Sequence, residues 1–349
     1  VRSVLVVKTA AIGDCVNALG AVRALRAARP DARVGWLIGR AAAAAVVDQV
    51  PVDDWIVVDD AALAGRRPHR VLALALRLRR RRFDAALVLH RARAVRWLVA
   101  AAGIPRRVGL VRSASDRMLL TDAVVDPPAT LESERYWRAA ERLVGHALAR
   151  ETGRWTPPTE AAAQADALWS GWGFGRDTRV VAMAPGGGVN PRTRFPLKRW
   201  PVASFVALAR RIVGELDARV LILGLPEETA PFGAEALPGM VTASGDLRVA
   251  GALLARADVC VANDGGLLHL AAAAGTPTVG IFGPTDPMVW GAAGRRHLVV
   301  RHVVPCQPCY KDDGVLPVCR WDHRCMRELD VEEVLKAVTR QLAGQGDSR

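Results

Sequence analysis

An apolar run that ends in Asn263-Asp264-Gly265-Gly266 and continues as Leu267-Leu268-His269-Leu270-Ala271 has the makings of an anion seat. Two glycines clear side-chain bulk where a strand feeds a helix, and the first helical turn offers backbone N–H groups at the positive end of its dipole. Diphosphate is the anion that fits. A second glycine turn, Gly186-Gly187-Gly188, follows another apolar run, and Arg192, Arg194, Lys198 and Arg199 come soon after. There the backbone admits close approach while the cations can neutralise phosphate oxygens. Each turn alone has a plainer explanation: Asp264 can cap the helix, a triple glycine can be a loop, and His269 can be a core histidine. Two such turns in one half of the chain weigh more than either.

At the other end of the sequence, Lys8-Thr9-Ala10-Ala11-Ile12-Gly13-Asp14 joins an apolar strand to a helix expected to begin near Cys15. Taken alone, Asp14 reads most simply as an N-cap for that helix; a carboxylate at the carboxyl end of a sheet can also serve as a general base. The sequence contains no Asp-x-Asp pair to hold a divalent ion on a diphosphate, so neutralisation falls to Lys198, the arginines and the helix termini. It also lacks a P-loop and, after the first strand, a G-x-G-x-x-G fingerprint, which argues against kinase, ATPase and NAD-dependent chemistry.

These residues need a frame. Short apolar runs at 4–7, 34–38, 55–58 and 85–89 alternate with amphipathic helical stretches, the pattern of parallel βαβ units. Residues 151–160 break the pattern with Pro157 and Pro158 and read as a linker. A second alternation follows, with strands expected at 180–184, 220–223, 259–262 and 278–282 and helices at 202–215, 247–256 and 267–274. The expectation is an α/β chain of two Rossmann-like doubly wound domains, 1–155 and 156–349, facing a central cleft. At 349 residues, 51% of them hydrophobic, the chain can build two cores.

The longest uncharged stretch, 265–285, is interrupted by His269, Gly275, Pro277 and Pro284, which suits a helix, a turn and a strand better than a bilayer span. No secretory signal pattern precedes the first strand, so the expected compartment is the cytoplasm. A net charge of +13 suits nucleic acid, anionic lipid or a phosphorylated substrate without choosing among them. Aromatics make up 5% of residues and do not interleave with the basic ones, so nucleic acid is not expected as a partner. Arg77, Arg79, Arg80, Arg81 and Arg82 close a helical stretch beginning near Val71. They read as a solvated helix end, with peripheral contact to anionic membrane as the functional alternative.

Four of the six cysteines lie at Cys306, Cys309, Cys319 and Cys325, with His323 nearby. In a reduced compartment four clustered thiols point to a structural zinc or iron before a disulfide framework, and the competing reading is four free thiols in a loop. Any metal there is structural, since no nearby base or open ligand is evident.

The sequence resembles glycosyltransferase family 9, the bacterial heptosyltransferases and their relatives. The resemblance rests on residues 8–14, on Lys198-Arg199-Trp200-Pro201, on residues 263–271 and on Phe282-Gly283-Pro284-Thr285-Asp286-Pro287, and it spans nearly the whole chain. It implies a GT-B fold with an acceptor-binding N-terminal domain and a C-terminal domain that binds a nucleotide sugar and carries the Cys-rich segment 306–325. Residue by residue, it makes Asp14 the catalytic base and Lys198 the donor-phosphate cation. Gly186 and Gly187 belong with the donor, as do Asp264, Gly265, Gly266 and His269, and Lys8, Thr9 and Gly13 fall in the acceptor-side loop. Relatives often carry Ser at position 10 or 11 and Ser or Thr at position 265, where this chain has Ala10, Ala11 and Gly265.

The expected activity is therefore inverting transfer of a sugar, heptose from an ADP-heptose-like donor, to a hydroxyl of a glycan, glycolipid, protein or small-molecule acceptor, with no cofactor required for catalysis. Two alternatives stand beside it: a nucleic-acid-binding protein with a Cys-rich metal finger, and a sugar-nucleotide epimerase or hydrolase on the same frame.

Overall fold

The computed structural model describes residues 1–59, 68–150, 153–190, 193–233, 237–292, 294, 296–311 and 316–344. Arg192, one of the cations expected near the second glycine turn, lies outside them, as do residues 151 and 152 of the expected linker. The chain forms two compact units, one made of Val1–Arg154 with Asn190–Arg192, the other of Trp155–Val189 with Thr193–Arg349.

The first unit is a six-stranded sheet of β1 (Ser3–Val7), β2 (Arg33–Gly39), β3 (Asp54–Val58), β4 (Ala85–Val88), β5 (Arg106–Val111) and β6 (Asp122–Val125). All pairings are parallel and the order is β3-β2-β1-β4-β5-β6. Apart from Ser3 at the start of β1, the two central strands are apolar because helices cover both faces; every residue of β1 and of β4 is buried. On one face, helices Pro68–Arg80 and Arg93–Ala101 share a core with the sheet, where Val71, Leu74 and Leu78 meet Leu5, Val7, Val88, Val95 and Leu98.

The second unit repeats the plan. Its strands are β7 (Val180–Ala184), β10 (Arg219–Gly224), β11 (Met240–Ser244), β12 (Val259–Asn263), β13 (Thr278–Ile281) and β14 (His297–Val300), all parallel, in the order β11-β10-β7-β12-β13-β14. A separate two-stranded pair, β8 (Val189–Asn190) and β9 (Thr193–Arg194), lies between β7 and β10 in the chain. Helices Val202–Glu215 and Val331–Ala343 pack on one face, burying Phe205, Leu208 and Ile212 with Val334, Leu335 and Val338.

Both sheets reverse winding direction once, between β1 and β4 in the first unit and between β7 and β12 in the second. In open α/β sheets ligands bind beyond the carboxyl ends of the strands at that reversal. The segments leaving those four strands are residues 8–14 and 89–92 in one unit, and the Gly186 and Gly265 turns in the other.

Candidate active site

In the first unit the chain leaves β1 through Lys8 and Thr9, both buried, and enters helix Ile12–Asn17. The helix starts three residues earlier than the expected Cys15, so Asp14 is not its N-cap. That place is held by Ala11, and Asp14, in the first turn, accepts the Ala11 backbone N–H at 3.3 Å. A carboxylate there sits well in the field of the helix N-terminus. Its stronger partner is Lys8, whose Nζ lies 2.8 Å from Asp14 Oδ2. Lys8 is almost wholly shielded, while the Asp14 side chain keeps 21% of its surface exposed. The lysine thus sits beneath the carboxylate and holds it.

A buried ionic network backs this pair. Arg91, which follows β4, grips Glu132 with two bonds of 2.6 and 2.8 Å and also donates to Asp126 at 2.6 Å. Arg135 approaches the same two carboxylates at 3.6 and 3.5 Å. One turn beyond Glu132 on helix Glu132–Val144, the Tyr136 ring lies 5.3 Å from Lys8 Nζ. Burial alone would lower the pKa of Lys8, but the Asp14 and Glu132 carboxylates outweigh it and hold the ammonium above its usual range. Burial, reinforced by the same two carboxylates, keeps the Tyr136 hydroxyl well above its ordinary pKa. At neutral pH the cluster therefore sets a charged Lys8 ammonium against a neutral tyrosine. Arg91, Glu132 and Tyr136 carry no motif, and sequence reasoning missed them; a charged residue in an otherwise apolar strand-to-helix connection was the available signal.

The second unit brings the other candidates together. Helix Gly266–Ala274 begins directly after β12, with Gly265 at its N-cap and, among the described residues, no side chain capping it. The plainer reading of Asp264 as the cap of this helix does not hold: its carboxylate turns instead to Lys198, with Oδ2 2.7 Å from Nζ. Asn263, buried at the end of β12, ties the parts together. Its amide donates to the carbonyls of Pro185 and Gly186 at 2.8 and 3.0 Å and its carbonyl accepts from Trp200 N at 3.0 Å. One side chain thus fixes both glycine turns and the Lys198 segment. Arg199 adds a bond to the Gly187 carbonyl and an ion pair with Glu228, each 2.8 Å.

Glycine is required at Gly187, whose φ is +117°, a conformation that side-chain-bearing residues avoid. At Gly265 the backbone is extended, but a Cβ would stand 3.2 Å from the Gly187 Cα. The two turns therefore approach each other as closely as they do because position 265 has no side chain. His269 is buried near the start of the helix.

The Cys-rich segment is described apart from residues 312–315. The four thiols are near enough to feel one another. Burial, then the charges of Cys309, Cys306 and Cys319, pushes the Cys325 thiol up to about 11. Cys309 is raised by burial, Cys306 and Cys319. Among the described residues, however, no three His, Cys, Asp or Glu side chains converge in a set that could hold a metal ion. Nor, among the described residues, is any helix long and apolar enough to cross a membrane.

Two parallel sheets of identical strand order, one ending in two close glycine turns and the other in a lysine-held carboxylate, make a two-domain α/β fold of the GT-B type. The chain belongs to glycosyltransferase family 9 (heptosyltransferase), whose family model matches residues 71–318, and it is a glycosyltransferase. It is similar to lipopolysaccharide heptosyltransferase 1 of Pseudomonas aeruginosa, with 31% identity over 326 residues covering 88% of this chain and 86% of that one. The structure of the ADP-heptose LPS heptosyltransferase II of E. coli shares the fold with a TM-score of 0.76 at 21% identity, covering 99% of each chain. A glycosyltransferase family 9 structure from Veillonella parvula does so with a TM-score of 0.80 at 20% identity, covering 98% of this chain and 97% of that one. Membership in this family favours glycosyl transfer over both the nucleic-acid-binding and the epimerase or hydrolase alternatives.

Proposed function

We propose that the protein transfers heptose from ADP-heptose, with inversion at the anomeric carbon, to a hydroxyl of a lipopolysaccharide-type glycan acceptor on the cytoplasmic side of the membrane. The observation that carries the donor side is Lys198, paired with Asp264 beside a glycine-lined, uncapped helix start. A diphosphate placed there meets N–H donors and a cation together, and both interactions strengthen as the leaving group gains charge. Gly186, Gly187, Gly265, Gly266 and His269 belong to this donor site. Asp14 accepts the proton of the attacking hydroxyl as the new C–O bond forms, while the C–O bond to the diphosphate breaks with its electron pair leaving on ADP. Lys8 orients that carboxylate from below, and Thr9 and Gly13 shape the loop the acceptor meets.

A thermal-shift screen of ADP, UDP, GDP and ADP-heptose tests the donor assignment, because a ligand of the folded state raises its apparent stability. A shift specific to ADP and ADP-heptose is expected; a shift with UDP or GDP alone would overturn it.

Two accessory roles belong to the same reading. Exposed Leu72, Leu76 and Trp97 stand on neighbouring helices with exposed Arg77, Arg79 and Arg80, a combination suited to the surface of an anionic membrane. Cosedimentation with phosphatidylglycerol vesicles tests it, and absence of binding at low salt would sink it. Cys306, Cys309, Cys319 and Cys325 offer the soft donor set that zinc or iron prefers, and the raised thiol pKa values of Cys309 and Cys325 are what a bound cation would relieve. Elemental analysis of the purified protein decides between a metal and four free thiols.

A further inference from the structure

Lys198 is surrounded by more than its carboxylate. Its Nζ lies 5.7 Å from the centre of the Phe195 ring, 5.7 Å from that of Tyr310 and 6.0 Å from that of Trp290. The rings also meet each other, Phe195 and Tyr310 at 5.4 Å and Trp290 and Tyr310 at 6.2 Å between centroids. Three aromatic faces and one carboxylate thus surround a single ammonium in a chain with only four lysines.

The rings come from three separate places. Phe195 precedes the turn Pro196–Lys198. Trp290 ends the short helix Pro287–Trp290, which Asp286 caps by accepting from Met288 N at 2.9 Å. Tyr310 belongs to the Cys-rich segment, next to Cys309. Its position is set by the turn that leaves β13: Tyr310 N donates to the Pro284 carbonyl at 2.9 Å, and the Gln307 amide donates to the Gly283 carbonyl at 2.9 Å. Gly283 is itself pressed against Cys325 and Met326, where a Cβ would find no room. The Cys-rich segment therefore sets a ring against the donor-site lysine.

We propose that Phe195, Trp290 and Tyr310 form an aromatic box that positions the Lys198 ammonium for the donor diphosphate, with Tyr310 as the wall supplied by the Cys-rich segment. This rests on Lys198 being the donor-phosphate cation. A lysine ammonium is a strongly hydrated charge on a flexible stem, and ordering it costs rotamer entropy. Ring faces attract the cation without accepting its protons or cancelling its charge, and they displace its water. One N–H is spent on Asp264, and the remaining donors stay available to phosphate oxygens. The three rings are positioning residues, acting on the donor through Lys198.

Calorimetric ADP affinity in a double-mutant cycle tests the box, with steady-state kinetics as the second readout. Lys198→Ala must weaken ADP binding; if it does not, the donor reading itself fails. Given that it does, Tyr310→Leu is expected to weaken ADP about 10-fold and raise the donor KM to match, leaving the acceptor KM unchanged. Tyr310→Phe, which keeps the ring, restores wild-type behaviour. In the Lys198→Ala background Tyr310→Leu has no further effect, because its target is gone. Trp290→Leu repeats the pattern on a half-exposed ring and stands in if Tyr310→Leu fails to fold. Wild-type ADP affinity in both leucine variants overturns the box, and so does a loss that persists undiminished without Lys198, which is what a purely structural cluster would give.

Discussion

Replacing Glu132 by alanine probes the buried network behind Asp14. Among the described residues, Lys8, Arg91 and Arg135 face Asp14, Asp126 and Glu132. Glu132 is 1% exposed and takes both bonds of a bidentate pair from Arg91. Its removal takes one buried negative charge and the bidentate partner away from Arg91. Breaking a buried pair in this way costs about 3–5 kcal/mol. Asp126 still contacts Arg91 at 2.6 Å, which places the cost near the low end, about 3 kcal/mol. For a unit of this size that lowers the melting temperature by roughly 6–12 °C. Glu132→Gln keeps the shape and an acceptor but loses the charge, and falls between wild type and alanine. Circular dichroism melts of the three proteins, with urea titrations for the free energies, provide the readout. A loss below about 1 kcal/mol for Glu132→Ala, the range of a surface pair, would refute a buried ionic network.

Further outcomes follow from the same geometry. Gly187→Ala forces a side chain into a φ of +117° and should cost about 1–3 kcal/mol while weakening ADP, measured by chemical denaturation and calorimetry. Lys8 has a folded pKa above its ordinary 10.5, so the stability from its pair with Asp14 is complete below that pH and is lost as pH rises through the folded value. Unfolding free energy should therefore be flat in this contribution from pH 7 to 9 and fall in strong alkali, with the fall reduced in Lys8→Met. Cys325, pushed up to about 11, is a protonated thiol at neutral pH. In metal-free protein its alkylation by iodoacetamide should be slow at pH 7 and accelerate towards pH 11, and metal uptake should release protons and weaken as pH falls.

Much of this was legible in the sequence because buried parallel strands are written in apolar residues. The runs in β1, β2, β4, β7, β10, β12 and β13 announced themselves that way, and the glycines marked the turns that follow β7 and β12. The strands that escaped notice are mostly edges. β6, β11 and β14 are partly exposed and mix polar residues into short runs, so they lack the continuous apolar signature, and β5 opens with Arg106-Arg107. Capping was the plainer reading of Asp14 and of Asp264, and neither is an N-cap: each faces a lysine, Lys8 or Lys198, and an ion pair leaves no mark in the pattern of apolar and polar residues. The network of Arg91, Glu132 and Tyr136 and the rings around Lys198 were hidden similarly, since their members are brought together by the fold from separate stretches of chain.

The central claim is that Asp14 takes the acceptor proton in a heptosyl transfer whose donor is held by the second unit. Asp14→Ala, assayed for product with ADP-heptose and a heptose-accepting glycan alongside calorimetric ADP binding, tests it most directly. Transfer should fall by at least about 100-fold, the lower range of a general-base contribution, with ADP affinity close to wild type. Full transfer by that variant would contradict the account.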